Sequence, residues 1–126
     1  MGKFVDDTVL EGALAKVATS TRMTLTSAQP ANFAGIAAVL LGSATMTAGV
    51  GGASYSAYAD GDVSGRKITV LAKNGVPITA TGTATHVNLD DGTRLLHCTT
   101  YTAQAVTNGN TANVAAYDVE FADVTP

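Results

Sequence analysis

The chain has 126 residues, the length of one ordinary domain, and its 46% of apolar residues can fill a core without a metal or a disulfide. Charged residues make up only 13% of the chain, and seven basic side chains against ten acidic ones give a net charge of −3 with no basic run, so nucleic acid is not an expected partner. The single cysteine excludes an internal disulfide, and no apolar stretch is long enough to cross a bilayer, so a membrane partner is not expected either.

The first predicted element is a short N-terminal helix over residues 9–18. Apolar residues recur at helical spacing from Leu10 onward, and Thr8 with Glu11 has the spacing of a capping box. The pattern predicts one apolar stripe on this helix.

A half-buried strand is predicted over residues 22–26, where polar and apolar residues alternate before Pro30 ends the pattern. The stretch 31–41 fits either a helix or a strand, and the sequence leaves both open. Residues 44–48 are a candidate short strand. The glycine-rich segment 49–52 follows and is predicted to be the most flexible loop of the chain.

Two alternating runs over residues 66–80 predict a β-hairpin. A three-residue loop that ends at Gly75, with this glycine in the left-handed conformation, places Val70 opposite Ile78 and creates one continuous apolar face. Pro77 cannot donate to a ladder on one side, so its strand is predicted to be an edge or to carry a bulge.

A second hairpin is predicted over residues 83–101, with its turn at residues 90–92. A further turn at residues 108–110 leads into a last strand over residues 113–122, where apolar and acidic residues alternate.

Short strands at regular spacing, separated by glycine and asparagine turns, are typical of small all-β folds. We predict a mainly β fold, a small antiparallel β-sandwich or barrel with one short N-terminal helix. It is expected to form a single domain over residues 1–126, with a flexible arm at residues 1–7 and a flexible tail at residues 123–126.

The register of the second hairpin stays open, because Leu95 and Leu96 are both apolar. The favoured register places Val87, Leu89, Leu96 and Cys98 on one inward face. If Asp91-Gly92 is a two-residue turn, His86 lies opposite His97, where two imidazoles could share a metal; without a third ligand, a hydrogen-bonded surface pair is the favoured interpretation. Because His97 and Cys98 are neighbours in one strand, they point to opposite faces and do not form a nucleophilic dyad.

Residues 60–65 imitate the first half of a calcium loop, but Leu71 stands where the bidentate Glu should be, so a plain turn is favoured. The acidic pairs at residues 6–7 and 90–91 are interpreted as a helix cap and a turn. We therefore predict no catalytic, metal-binding or cofactor-binding residue, and the chain is not expected to be an enzyme.

Several stretches together resemble a family of small structural proteins of tailed-bacteriophage and prophage virions. The stretches that carry the resemblance are Asp60–Asp62, Ser64–Lys67, Gly82–His86, Leu95–Leu96 and Tyr117–Asp123. The resemblance implies a non-enzymatic virion protein, assembled in the host cytoplasm and located on the capsid surface. Its expected role is capsid cement or decoration, with the major capsid protein and neighbouring copies of itself as partners and a trimer as the oligomer that particle symmetry suggests.

The candidate partner contacts lie in the N-terminal arm, the glycine-rich loop and the predicted sheet edge. They are Lys3, Phe4, Val5, Gly49, Val50, Gly51, Gly52, Tyr55, Tyr58 and Pro77. The alternative function is a tail or fibre module that binds a host surface or a glycan. In that case Tyr55 and Tyr58, beside Asp60 and Asp62, would supply the aromatic rings that sugar sites favour.

Overall fold

The computed structural model describes residues 5–123, which form two compact units. Unit 1 contains the described parts of residues 1–19, 47–72 and 116–126, and unit 2 contains residues 20–46 and 73–115. That residues 1–126 form a single domain stays a prediction. Of the predicted arm and tail, residues 1–4 and 124–126 lie outside the described residues.

Two helices and nine strands are present in the described part of the chain. In chain order they are α1 (Asp7–Val17), β1 (Arg22–Thr26), α2 (Ile36–Val39), β2 (Leu40–Thr45), β3 (Ala59–Asp60), β4 (Arg66–Val70), β5 (Lys73–Pro77), β6 (Gly82–Asp90), β7 (Leu95–Val106), β8 (Thr111–Val114) and β9 (Tyr117–Phe121). The predicted fold class is confirmed: the chain is mainly β, with antiparallel sheets of the kind found in small β-sandwiches and one short N-terminal helix. None of the described sheets closes into a barrel.

Helix α1 begins two residues earlier than predicted, because its N-cap is Asp6 rather than Thr8. The Asp6 carboxylate accepts a hydrogen bond from the Thr8 backbone N–H at 2.8 Å, which satisfies one of the free donors of the first turn. Leu14 and Val17 form the buried stripe of the helix. Asp7, predicted to lie in the flexible arm, is the first residue of the helix.

The sheet of unit 1 has the strand order β3-β4-β9. Ile68 in β4 lies opposite Val119 in β9, and both side chains are buried. Tyr55 forms an isolated antiparallel bridge with Val70, and these two residues are fully buried. The interior of unit 1 is therefore built from aliphatic residues around one tyrosine.

The larger sheet of unit 2 has the order β2-β1-β6-β7. Its central strands β1 and β6 place Met23 opposite Leu89 and Leu25 opposite Val87, and all four side chains are buried. The predicted strand over residues 22–26 is confirmed. This face supplies the apolar core of unit 2.

The opposite face of the same two strands is buried but polar. Thr24, Thr26 and Asn88 have no solvent exposure. The Asn88 Nδ2 donates to Thr26 Oγ1 at 3.0 Å and to Thr24 Oγ1 at 3.3 Å. Strand β1 was expected to be half-buried, but it is covered on both faces. Hydrogen bonds between side chains satisfy some of the polar groups on its second face.

The predicted hairpin over residues 66–80 is wrong. Strand β4 pairs with β3 and β9, so Val70 lies opposite Tyr117, and β5 pairs with β8. Gly75 has the expected left-handed conformation, with φ of 71°, but it lies at a register irregularity inside β5 instead of closing a hairpin. Each of the two alternating runs pairs with a strand that is distant in the sequence. Alternation shows which side chains share a face, but it does not show which strand is the partner.

The second hairpin is confirmed, but its predicted register is wrong. Residues 91–94 form a four-residue loop, since Asp90 pairs with Leu95. His86 therefore lies opposite Thr100 and His97 opposite Leu89, so the two imidazoles do not face each other. Cys98 lies opposite Asn88, so it is on the other face of the sheet from Val87 and Leu89, contrary to the prediction.

The remaining differences concern strand ends. The predicted last strand over residues 113–122 is interrupted at residues 115–116, which separate β8 in unit 2 from β9 in unit 1. The ambiguous stretch 31–41 contains the one-turn helix α2 and the start of β2, and β2 ends at Thr45, before the end of the candidate strand 44–48.

Candidate interaction surface

The glycine-rich loop of residues 49–52, a predicted partner contact, lies at the surface of unit 1. Its three glycines are exposed and Val50 is half-buried. The Gly49 N–H donates to the Ala18 carbonyl at 2.9 Å, and the Gly51 N–H donates to the Ser56 carbonyl at 3.1 Å. The loop is therefore accessible but held by backbone hydrogen bonds.

The other predicted contacts have different surroundings. Lys3 and Phe4 lie outside the described residues, Val5 and Tyr58 are half-buried, and Pro77 is exposed at the end of β5. Strand β5 pairs with β8 alone in a two-stranded sheet, so the edge position predicted for Pro77 is confirmed.

Tyr55 must be withdrawn as a partner contact. Its side chain has a relative exposure of 0%, because Tyr55 lies against β4 and its bulk fills the interior of unit 1. A buried ring cannot stack on a sugar, so only Tyr58 remains of the aromatic pair that favoured glycan binding.

Acidic and basic side chains of unit 1 form a network on β4 and its neighbours. Arg66 contacts Glu11 at 2.8 Å and Asp60 at 2.6 Å, and Lys67 contacts Asp62 at 2.7 Å. Both acidic side chains of the calcium-like segment are thus in ion pairs. Among residues 5–123, no group of three or more His, Cys, Asp or Glu side chains is placed to hold a metal ion.

Lys67 also bonds Asp118 at 3.2 Å, and Asp118 accepts a hydrogen bond from the Thr69 hydroxyl at 2.8 Å. These two bonds favour the charged carboxylate and lower the pKa of Asp118. Hydrogen bonds to Asp62 and Asp118 raise the pKa of Lys67. The network stabilises the charged forms of both groups.

His97 and Cys98 occupy consecutive positions of β7. Burial lowers the pKa of His97 and raises the pKa of the Cys98 thiol. A raised pKa lowers the fraction of thiolate, which is the nucleophilic form of cysteine.

Unit 2 has few charged side chains at its surface, since Arg94 is exposed and Arg22, Lys73 and Asp91 are half-buried. Of its 31 exposed residues, Arg94 alone carries a charged side chain, whereas eight of the 27 exposed residues described in unit 1 are charged. The other exposed residues of unit 2 are mainly Thr, Ala, Asn and Gly. Charge depletion of this kind is typical of the centre of a protein–protein interface rather than of a solvated surface.

Arg94 lines a cavity of about 540 Å³ in unit 2, whose walls are residues 31–34 and residues 93–95. The second wall is fixed by Asp91, whose carboxylate accepts hydrogen bonds from the backbone N–H groups of Thr93 at 2.9 Å and Arg94 at 2.7 Å.

The first wall of the cavity is fixed by Phe33 and Asn32. The Asn32 side chain accepts a hydrogen bond from the Gly35 N–H at 2.9 Å. The Phe33 ring lies 5.6 Å from the guanidinium of Arg22, a cation–π distance, and Arg22 is paired with the buried Asp90 at 2.9 Å.

No family model, curated protein or solved structure matches the chain. No helix in residues 5–123 is long and apolar enough to span a bilayer. The sequence reasoning missed Arg94 and its cavity. A signal was present in the distribution of charge: residues 23–59 and 95–117 contain no charged side chain, and these two charge-free runs include most of unit 2.

Proposed function

We propose that the chain is a structural protein of a tailed-phage virion, of the capsid cement or decoration type, located on the capsid surface. Its partners are the major capsid protein and neighbouring copies of itself. The observation that carries this proposal is the surface of unit 2, where 30 of 31 exposed residues are uncharged. A surface of this composition has a low desolvation cost when another protein covers it.

The mechanism is physical rather than chemical. A cement protein lies across the joints between capsid subunits, so the surface that it buries there opposes the separation of the subunits. A stable protein contact buries on the order of 1,000 Å² or more, and each ~1.4 kcal/mol of contact energy changes the equilibrium constant for opening a joint about tenfold. Many such contacts over one particle raise its resistance to internal pressure.

The edge of the larger sheet favours contact through side chains. Strand β7 is the last strand of that sheet, so its outer edge has no neighbouring strand, and it contains no charged residue that would oppose contact with a partner. Its pairing with β6 is irregular between Ala84 and His86 and again between Leu89 and Asp90. Irregularities of this kind disturb an edge and oppose the addition of a long strand, so we expect the partner to cover exposed side chains.

The experiment that tests the proposal compares particles that contain the chain with particles that lack it. We expect particles without it to release DNA at a lower temperature and to rupture at low salt, and purified chain added back should restore both thresholds. Unchanged thresholds would contradict the cement role. Quantitative mass spectrometry of intact particles separates this role from a tail or fibre module, which would be present in far fewer copies and whose loss would reduce host adsorption instead.

A further inference from the structure

Arg94 is an exposed cation whose guanidinium has no partner in the described part of the chain. It lies in the four-residue loop between β6 and β7, and no hydrogen bond or ion pair of its side chain occurs among residues 5–123. The other two arginines of the chain, Arg22 and Arg66, are both paired with carboxylates. Arg94 therefore retains its full hydrogen-bonding capacity for an external anion.

The cavity beside Arg94 has the size of a binding site. Its volume of about 540 Å³ lies within the range of roughly 300–1,000 Å³ that ligand sites occupy. Phe33, Leu95 and the alanines at 31 and 34 supply an apolar lining, and Arg94 is its charged group. A ligand that fits this lining combines apolar groups with a single negative charge.

Asp90 and Asp91, the acids that precede Arg94 at the end of β6 and in the loop, have partners of their own. The Asp90 carboxylate is fully buried and bonds Arg22, and the Asp91 carboxylate accepts the backbone N–H of Arg94, which fixes the turn. The backbone N–H groups of Thr93 and Arg94 both donate to Asp91, so the backbone of the loop that carries the guanidinium is held in place.

We propose that this cavity is the docking site for a segment of a partner protein in which one carboxylate side chain is flanked by apolar residues. The planar guanidinium of an arginine matches a carboxylate with two parallel hydrogen bonds. The uncharged surface around it then excludes water, as the surroundings of a central arginine do in many protein interfaces. A small acidic molecule would need the cavity alone, whereas the surface with few charges extends well beyond the cavity walls, since 30 of the 31 exposed residues of unit 2 are uncharged.

The test uses a model peptide and the intact chain, whose mass of 12.7 kDa suits NMR. An acetylated and amidated peptide, Ala-Leu-Glu-Leu-Ala, is titrated into the ¹⁵N-labelled chain. We expect shifts at residues 31–34 and 93–95 that saturate with peptide concentration, and about tenfold weaker binding for the same peptide with Gln in place of Glu. Arg94→Ala should abolish the shifts, and Arg94→Lys should weaken them, because a lysine lacks the planar fork.

Arg94→Glu should also abolish the shifts, because it places a like charge against the peptide carboxylate, and Lys16→Glu is its matched control. Lys16 is exposed on α1 in unit 1, so both variants change the net charge by the same amount, but Lys16→Glu should leave binding unchanged. Equal binding of the Glu and Gln peptides, equal binding by parent and Arg94→Ala, or no shift at residues 31–34 and 93–95 would overturn the inference. Tighter binding of glucuronic acid than of the peptide would overturn it too, because the cavity would then be a sugar-acid site.

This docking site is independent of the virion proposal. Peptide binding can be present in a chain that leaves particle stability unchanged, and particles can be stabilised through other surfaces of unit 2. The two experiments therefore fail separately.

Discussion

Two glycines of unit 1 permit a direct test of how tightly β4 and β9 are packed. Gly51 and Gly65 have nearly the same left-handed backbone, with φ of 76° and 77°. A Cβ at Gly51 would meet nothing within 4 Å, whereas a Cβ at Gly65 would overlap the carbonyl oxygen of Phe121 and lie 2.8 Å from the Cα of Ala122. Alanine at either position has the same backbone strain, but only at Gly65 must the chain also move.

The two costs can be separated. A left-handed alanine costs about 1–2 kcal/mol, and the loss of glycine's freedom in the unfolded chain returns roughly 0.4–1 kcal/mol, so Gly51→Ala should lower the free energy of unfolding by about 1 kcal/mol. Gly65→Ala must in addition separate the end of the β4–β9 ladder at the pair of Arg66 and Phe121. One or two lost backbone hydrogen bonds and the disturbed packing bring the total to about 3 kcal/mol.

Differential scanning calorimetry measures the difference. At about 4 °C per kcal/mol for a domain of this size, we expect a decrease in Tm of ~4 °C for Gly51→Ala and ~12 °C for Gly65→Ala. Asparagine adopts the left-handed conformation more readily than alanine, so Gly51→Asn should approach the parent while Gly65→Asn should not. Equal decreases in Tm for the two alanine variants would refute the packing of Gly65 against β9.

Two further predictions concern carboxylates. Asp90→Asn should lower the free energy of unfolding, measured by urea denaturation, by about 1–2 kcal/mol, because it removes the charged partner of Arg22. The loss is limited because the Arg22 side chain is 35% exposed and remains partly hydrated. A change below about 0.3 kcal/mol would show that the pair of Arg22 and Asp90 is not stabilising. The lowered pKa of Asp118 means that its contribution is present above its ordinary pKa of 3.8 and is lost as the pH falls through the folded value. Between pH ~4 and ~2 the urea midpoint should therefore fall less steeply for Asp118→Asn than for the parent. The same dependence of the urea midpoint on pH in both proteins would contradict a stabilising role for the Asp118 carboxylate.

The low charge of the candidate surface could be inferred from the sequence, but the cavity beside Arg94 could not. The charge-free runs at residues 23–59 and 95–117 are visible in the sequence and include most of unit 2, whose surface is neutral. The predictions placed contacts in the glycine-rich loop and at Tyr55 because flexibility and aromatic character can be recognised locally. Burial of Tyr55 depends on its bridge to Val70, and the cavity beside Arg94 depends on two loops about 60 residues apart, so neither follows from local pattern.

The sequence by itself determined the elements that depend on neighbouring residues. The N-terminal helix, strand β1, the hairpin of β6 and β7 and the mainly β class follow from helical spacing, alternation and turn residues, which act within a few positions of the chain. The tertiary structure decided which strands pair and in what register. Alternation of period two assigns side chains to two faces but carries no information on the partner, so β4 could pair with β9 some 50 residues away instead of with β5. That choice depends on the free energy of long-range burial against the entropy of loop closure, and both are properties of the whole folded chain.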